Sequence, residues 1–387
     1  MKKDVAFICV GQAGGNIGML FEQKGYNVMF INTSEEDLNI LKNSTHKYHL
    51  KNGEGCAKDR DKAKQLLAGD IDPLIDQIRT TITQKYVFVI FSSGGGTGSG
   101  VSPFLTEILI DEFSSKEDVA EGSLYKPEPE KYFAAVTIIP SDQDKTQAEI
   151  NSYSCCQELL DIEDLGSLFI LDNNCGYDKL TINRIFVDAL DNVLSIPSKH
   201  KHVEGNVDRA ELKRAIFETH GVAVANFLSR DKGNAAMIAQ SVRKNIYAPI
   251  QKDKTVLYYV LSTTQKIDTN SLAQEFGEPV DIFATYNQEC NIVLMTGLTF
   301  PYDRFSEITD KVKKQAESIE NSINSLHENK LSETLQISRK AKPKKTRTRV
   351  VQNTTISTGS ESNAPTSLAI EVPKKSARDL LNSYRKG

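Results

Sequence analysis

Two glycine-rich stretches limit what this chain can fold into, because each follows directly on an apolar run of buried-strand type. SSGGGTGSG (92–100) leaves YVFVIF (86–91) and leads into the helix-like PFLTEILIDEF, while VGQAGGNIG (10–18) leaves DVAFICV (4–10). Linkers are also rich in Gly and Ser, but they seldom leave a strand and enter a helix at once. Glycine lets the backbone approach a ligand and aim several N–H groups at it, and a helix N-terminus adds its dipole. Two such loops at strand carboxyl ends, side by side, make one anion cradle.

The rest of the first half supports this reading. Short apolar runs at 4–10, 27–31, 86–91, 132–139 and 167–171 predict buried strands, with helices over 13–24, 59–68, 72–84, 103–113 and 145–162. This alternation predicts a parallel sheet with helices on both faces. KLTINRIFVDALDNVL (179–194) carries a broad apolar stripe and predicts a buried central helix. Beyond it, runs at 255–263, 280–286 and 291–298 predict a second sheet. The apolar residues Phe305, Ile308, Val312, Ala316, Ile319, Ile323 and Leu326 recur every three or four positions, which predicts a long amphipathic helix. Two readings of its seam stay open, packing on its own domain or meeting another molecule.

Composition bounds the alternatives. The 387 residues, 39% hydrophobic and 25% charged, suit a globular protein of two domains. No apolar run approaches the ~20 residues that span a bilayer, and the N-terminal run is a poor signal peptide, so a cytoplasmic location is expected. The six cysteines show no CxxC pairing and are expected to be free thiols. Residues 339–387 hold twelve Lys/Arg against three Asp/Glu, which leaves residues 1–338 with a net charge of −13. An acidic body carrying a basic tail points to an interaction segment. From 338 to 373 the tail is polar and reads as disordered. In KKSARDLLNSYRKG (374–387), Ala377, Leu380, Leu381 and Tyr384 share one helical face, a pattern suited to folding on a partner.

The common phosphate motifs are absent. No Gly-Lys-Ser/Thr occurs, so there is no Walker A loop, and neither glycine loop fits GxGxxG. Asn32 stands where a dinucleotide-binding fold wants an acid after its second strand, which weakens the alternative of a Rossmann oxidoreductase.

GGGTGSG (94–100) does resemble the signature of the tubulin/FtsZ family. GQAGGNIG resembles that family's first nucleotide loop, INTSEEDL (31–38) its second, GEGCAKDRD (53–61) its third, Pro140 in TIIPSD its fifth and LDNN (171–174) its sixth. GNVDRAEL (205–212) is similar to its catalytic loop. The fold implied is α/β: a Rossmann-like parallel-sheet GTPase domain (1–178), a long central helix and connection (179–202) and a smaller α/β activation domain (203–302). A long C-terminal helix (303–337) and a flexible basic tail (338–387) follow.

The resemblance implies GTP and Mg²⁺ as ligands and hydrolysis activated by assembly. It places Gly11, Gln12, Ala13, Gly14 and Asn16 in the first loop, Asn32 in the second, and Gly55 and Lys58, with Glu54, in the third. Gly94, Gly95, Gly96, Thr97, Gly98 and Ser99 would hold phosphates, with the Thr97 and Ser99 hydroxyls as donors. Pro140, Asp144, Asn173, Tyr177 and Asn183 would complete the site, Asn173 and Asn183 reading guanine, since an amide matches both its donors and its acceptor. Mg²⁺ would be held by phosphates and water, with Gln12 nearby.

Asn206, Asp208 and Glu211 would reach the nucleotide of the neighbouring subunit as catalytic residues. Taken alone, Asn-Val-Asp-x-x-Glu is also an ordinary helix N-cap. Asp144 and Ala148 replace the Glu and Arg of the cell-division branch, Lys179 stands where that branch has an aromatic, and the third loop is not Gly/Pro-rich. These departures, and the basic tail, are more similar to the plasmid- and phage-borne branch than to the cell-division alternative. That branch implies a head-to-tail filament that segregates DNA through a DNA-bound adaptor protein held by tail residues 339–387. Direct DNA binding by the tail is the competing reading, and the acidic body opposes it.

Overall fold

A computed structural model describes residues 1–42, 44–115, 127–199, 205–251, 257–328 and Ser383, with side chains of the last long helix described to residue 318. The expected polar segment and the terminal amphipathic segment lie outside these residues, apart from Ser383. In chain order the elements are β1 (Val5–Val10), α1 (Gly11–Gln23), β2 (Asn27–Asn32), α2 (Glu35–Ile40), β3 (His46–His49), α3 (Arg60–Thr81) and β4 (Tyr86–Ser92). Next come α4 (Thr97–Glu112), β5 (Tyr132–Ile139), α5 (Thr146–Leu160), β6 (Ser167–Asp172), α6 (Lys179–Ser195) and α7 (Arg209–Phe217). The chain continues through β7 (Gly221–Leu228), α8 (Ala235–Arg243), β8 (Tyr258–Ser262), α9 (Thr269–Phe276), β9 (Asp281–Thr285), β10 (Asn291–Leu298) and α10 (Tyr302–Glu328).

All ten strands form one sheet in the order β3-β2-β1-β4-β5-β6-β7-β10-β8-β9. The pairs from β3 to β7 are parallel, and β10 runs antiparallel to both β7 and β8. The predicted second sheet is therefore a continuation of the first. The two parts meet where β6 and β7 pair over only Ser167↔Gly221 and Leu168↔Val222. β7, GVAVANFL, was not among the expected strands, and it is the element that bridges them.

Every residue of β1 and β6 is buried, as helices on both faces require. The central helix is present as α6, and it turns Ile182, Phe186, Ala189, Leu190 and Val193 inward. The six cysteines are free, four of them buried.

Two helices run through prolines. The predicted helices 59–68 and 72–84 are one helix, α3, with Pro73 inside. Pro73 removes a donor to the Gly69 carbonyl, and both residues are exposed, so water can take its place. α4 starts six residues before the predicted position, with Pro103 inside it. There the orphaned carbonyl of Ser99 accepts from Arg60 Nη2 at 2.9 Å and Nε at 3.3 Å.

The first half of α10 packs on α5. Phe305 and Ile308 are buried, whereas Ala316 is exposed. The start of the seam, at Phe305 and Ile308, is therefore buried within its own chain, on a helix that packs against α5.

Candidate functional site

β1 and β4 are neighbours, with Cys9 opposite Ile90, and they lie where the strand order reverses. Their carboxyl ends feed α1 and α4, so two helix N-termini open on one edge of the sheet. Ligands of open α/β sheets sit at such a switch point. The loops nearly touch: a Cβ on Gly11 would lie 3.3 Å from the Gly98 nitrogen. Gly11 also has φ +71°, which L side chains rarely adopt.

A cleft of about 510 Å³ opens at this edge. Its walls include Gly11, Gln12, Ala13, Asn32, Gly55 and Lys58 from the first three loops, and Gly94, Gly95, Gly96, Thr97 and Gly98 from the glycine loop. Pro140, Asp144 and Asn173 close the side next to β5 and β6. Fourteen of the nineteen binding positions expected from sequence thus line one cavity. Ser34, Asp37, Cys56, Ala57, Ala148 and Lys179 line it too, without having been singled out as binding residues. Lys179 and Ala148 were visible in the sequence as departures from the cell-division branch.

The remaining five expected residues stand elsewhere. Gly14 packs beneath the floor, where a Cβ would come within 2.4 Å of the Ile90 carbonyl. Asn16 lines a smaller adjoining cavity with Gly15, Phe30 and Leu41. Tyr177 is half exposed and does not line the cleft, and Asn183 is buried on α6 one turn beyond Lys179. The side chain of Ser99 is a correction. Its hydroxyl is fully buried and turns back onto the carbonyls of Gly95 and Gly96 within the first turn of α4, so it is not offered to a ligand.

The loops are held together by contacts of their own. Ala57 and Lys58 are consecutive left-handed residues, at φ 46° and 66°. Such strain persists only where the surroundings impose it. Here Gly55 N donates to Thr33 O at 2.8 Å, and buried Asn151 donates from Nδ2 to both Lys58 O and Gly95 O at 2.9 Å. A Cβ on Gly96 would be 2.9 Å from both Cys56 Cβ and Lys58 N, so only glycine lets the third loop lie there. The hydroxyls of Thr33 and Thr97 are 2.6 Å apart. Asn151 escaped sequence reading; its one signal was a polar residue on the apolar stripe of a helix.

Burial alone would raise the pKa of Asp144. Hydrogen bonds from the Ser141 backbone and hydroxyl, with the charges of Lys179 and Lys58, outweigh it and hold the carboxyl below its usual value. Among the described residues no group of three or more His, Cys, Asp or Glu could hold a metal ion. None of the described helices is long and apolar enough to cross a membrane.

The predicted catalytic residues are at the other edge of the sheet. α7 begins beside the start of β1: Arg209 Nη1 lies 3.2 Å from Asp4 Oδ2. Asp208 and Glu211 form a reciprocal capping box. Asp208 Oδ1 accepts from Glu211 N, and Glu211 Oε2 accepts from Asp208 N, both at 2.8 Å. Asn206 precedes it, exposed, in a stretch without regular secondary structure. The N-cap reading is thus realised in the single subunit.

Comparison with known proteins agrees with this geometry. Residues 4–180 match the family model described as "Tubulin/FtsZ family, GTPase domain". The chain is 28% identical over 342 residues to the tubulin-like protein TubZ of Clostridium botulinum C phage, covering 85% of this chain and 89% of the relative. It is similar to the crystal structure of Clostridium botulinum phage c-st TubZ, with a TM-score of 0.69 and 26% identity over 81% of this chain and 100% of the other. A GTPγS-form protofilament structure of TubZ from Bacillus thuringiensis serovar israelensis shares the fold, with a TM-score of 0.68 at 16% identity, covering 83% of this chain and 94% of the other. A cleft at the switch point, two converging glycine loops and these matches identify residues 4–180 as a GTPase domain of the tubulin/FtsZ family.

Proposed function

We propose that this chain hydrolyses GTP at junctions between copies stacked head to tail, and that the resulting filament moves plasmid or phage DNA. The observation that supports this most is the separation of the candidate residues. The nucleotide cleft lies at the carboxyl edge of β1, and Asp208 and Glu211 lie at its amino edge. A six-residue strand spans about 20 Å. One subunit therefore cannot bring its own acids to its own cleft, but a copy stacked on it can. Such a heterologous contact repeats without closing and builds a filament. Related TubZ proteins form a two-stranded filament and protofilaments.

In the proposed mechanism the backbone N–H groups of 94–98 and the N-terminal dipoles of α1 and α4 hold the phosphates. Thr97, linked to Thr33, sets the distance between the glycine loop and the second loop. Lys58 and Gly55 face the terminal phosphate. Asn173 reads guanine, with Asn183 behind it on α6. Mg²⁺, when bound, neutralises phosphate charge. The cleft offers Gln12 and no carboxylate cluster, which fits an ion held by phosphates and water. Each acid of the incoming copy spends one carboxylate oxygen on its capping box. The other is left to orient a water or to take its proton.

The basic tail 339–387 is proposed to hold a DNA-bound adaptor. The domain division at 178/179 and 202/203 belongs to the same proposal, since it puts the cleft and the acids on separate units.

The test is GTP hydrolysis per subunit against protein concentration, with light scattering in parallel. A shared threshold is expected. A constant rate per subunit without scattering would make the site self-contained and end the junction mechanism.

A further inference from the structure

α10 lies outside the cleft, yet its first turn holds the two loops that form one wall of it. Arg304 is 4% exposed and is not among the cleft-lining residues. Its Nε donates to Asp172 Oδ2 at 2.8 Å, and its Nη2 donates to the carbonyl of Pro140 at 3.1 Å. Nη1 lies 3.4 Å from Asp142 Oδ1. Asp172 ends β6 and directly precedes Asn173; Pro140 directly follows β5.

The two loops also bond each other. Asn174 Nδ2 donates to Asp142 Oδ2 at 2.8 Å, and Asn174 N donates to Asp172 Oδ1 at 2.8 Å. One guanidinium thus closes a ring through Pro140, Asp142, Asn174 and Asp172. Nearby, Lys311 of α10 donates to the Asp142 carbonyl at 2.6 Å.

We infer that Arg304 is a positioning residue for nucleotide binding, setting the spacing between Pro140 and Asn173 across one wall of the cleft without touching the ligand. The inference rests on the reading of the cleft as a guanine-nucleotide site. Net stability is a poor account of this arginine, because a buried ion pair contributes little over a well-packed apolar replacement. What the fork supplies is geometry. It reaches a carboxylate and a carbonyl at once in a fixed plane, whereas a lysine at the same place offers one mobile point charge. Placing the fork on α10 also links the root of the C-terminal segment to the state of the cleft.

The test uses the full chain below its assembly threshold, with a fluorescent GDP analogue as probe. Arg304→Lys is expected to raise the Kd roughly ten-fold, the equivalent of one charged hydrogen bond. Arg304→Met/Asp172→Asn removes both charges, so no lone buried charge remains to unfold the protein, and it is expected to weaken binding at least as much. Above threshold, KM for GTP rises by the same factor while the rate at saturating GTP stays within about two-fold. Thermal unfolding of the unbound protein moves little in Arg304→Lys.

Wild-type protein that does not bind the probe would remove the nucleotide reading and this inference together. Wild-type binding with unchanged affinity in both variants would overturn the inference alone. Losses in thermal midpoint, nucleotide affinity and saturating rate that run in step would assign Arg304 to the fold and overturn it equally.

Discussion

At the carboxyl edge of the parallel strands the loops hold one another, while at the opposite edge Asp208 and Glu211 hold only the start of their own helix. The cleft side is crossed by ties between distant elements: Asn151 to two loops, Thr33 to Thr97, and Arg304 to Pro140 and Asp172. The acidic side has a reciprocal cap, with Asp208 exposed and Glu211 partly exposed. One edge is preorganised for a small ligand, and the other waits for a surface. Polar groups fixed in advance need no rearrangement when charge arrives. Acids that bond only within their own cap and keep a spare oxygen can meet a partner without first breaking a tertiary contact.

The comparison breaks most visibly at Asp208. Asp208→Asn and Glu211→Gln keep a capping-competent side chain, so thermal stability should barely change. Hydrolysis should fall by about 10²–10⁴, the usual contribution of a positioned acid or base, with nucleotide binding intact. Normal turnover in both variants would leave the acids as caps and nothing more. Mixing sharpens the point. Asp208→Asn subunits keep a good cleft, and Thr97→Trp subunits keep good acids. Each alone should be nearly inactive, and an equal mixture should recover about a quarter of wild-type turnover, because one junction in four then pairs intact halves. No recovery on mixing, with filaments present, would argue against completion between copies.

On the cleft side, Gly96→Ala would drive a Cβ into Cys56 and Lys58 and push the third loop away. Nucleotide affinity should fall by at least ~10-fold, since phosphate contacts depend on close placement. Equal binding in a titration would mean the loop carries no ligand contact. Deleting 339–387 removes neither edge, so GTP hydrolysis should stay within about two-fold while adaptor capture is lost. Retained capture in a pull-down would move the adaptor site onto the body.

The smallest effect concerns acidity. Asp144 has a folded pKa below its ordinary value, so its contribution is complete above about pH 4 and is lost only as pH falls through the folded value. Nucleotide affinity should therefore show no Asp144-dependent step between about pH 5 and 8. A step in that range that disappears in Asp144→Asn would show that the carboxyl titrates higher than its hydrogen bonds imply.

The sequence carried the cleft well, because glycine loops after buried strands are local signals. It carried the central helix equally well, through the broad stripe from Ile182 to Leu194. It did not reveal that β6 and β7 join two predicted sheets, because two residue pairs leave no periodic trace. β3, HKYH, was too short and polar to read as a strand. The expected division of α3 near Gly69 and the late start of α4 differ from the structure because the carbonyls freed by Pro73 and Pro103 are open to water and served by Arg60 respectively, which no local pattern shows. Asn151 and Arg304 were invisible for a related reason. A buried polar side chain is defined by what folds around it, and nothing in its own neighbourhood of the chain announces the partner.

The arginine that serves the Ser99 carbonyl has a consequence for how the phosphate loop comes to exist. Where Pro103 leaves a missing rung in α4, Arg60 supplies the donor from α3, 39 residues earlier in the chain. The first turn of α4 is thus completed by a residue outside it. A segment containing only the strand, the glycines and the helix has every local signal for the loop and lacks the donor that closes it. The phosphate loop is in this sense a joint product of two helices, and it gains its final shape when α3 docks.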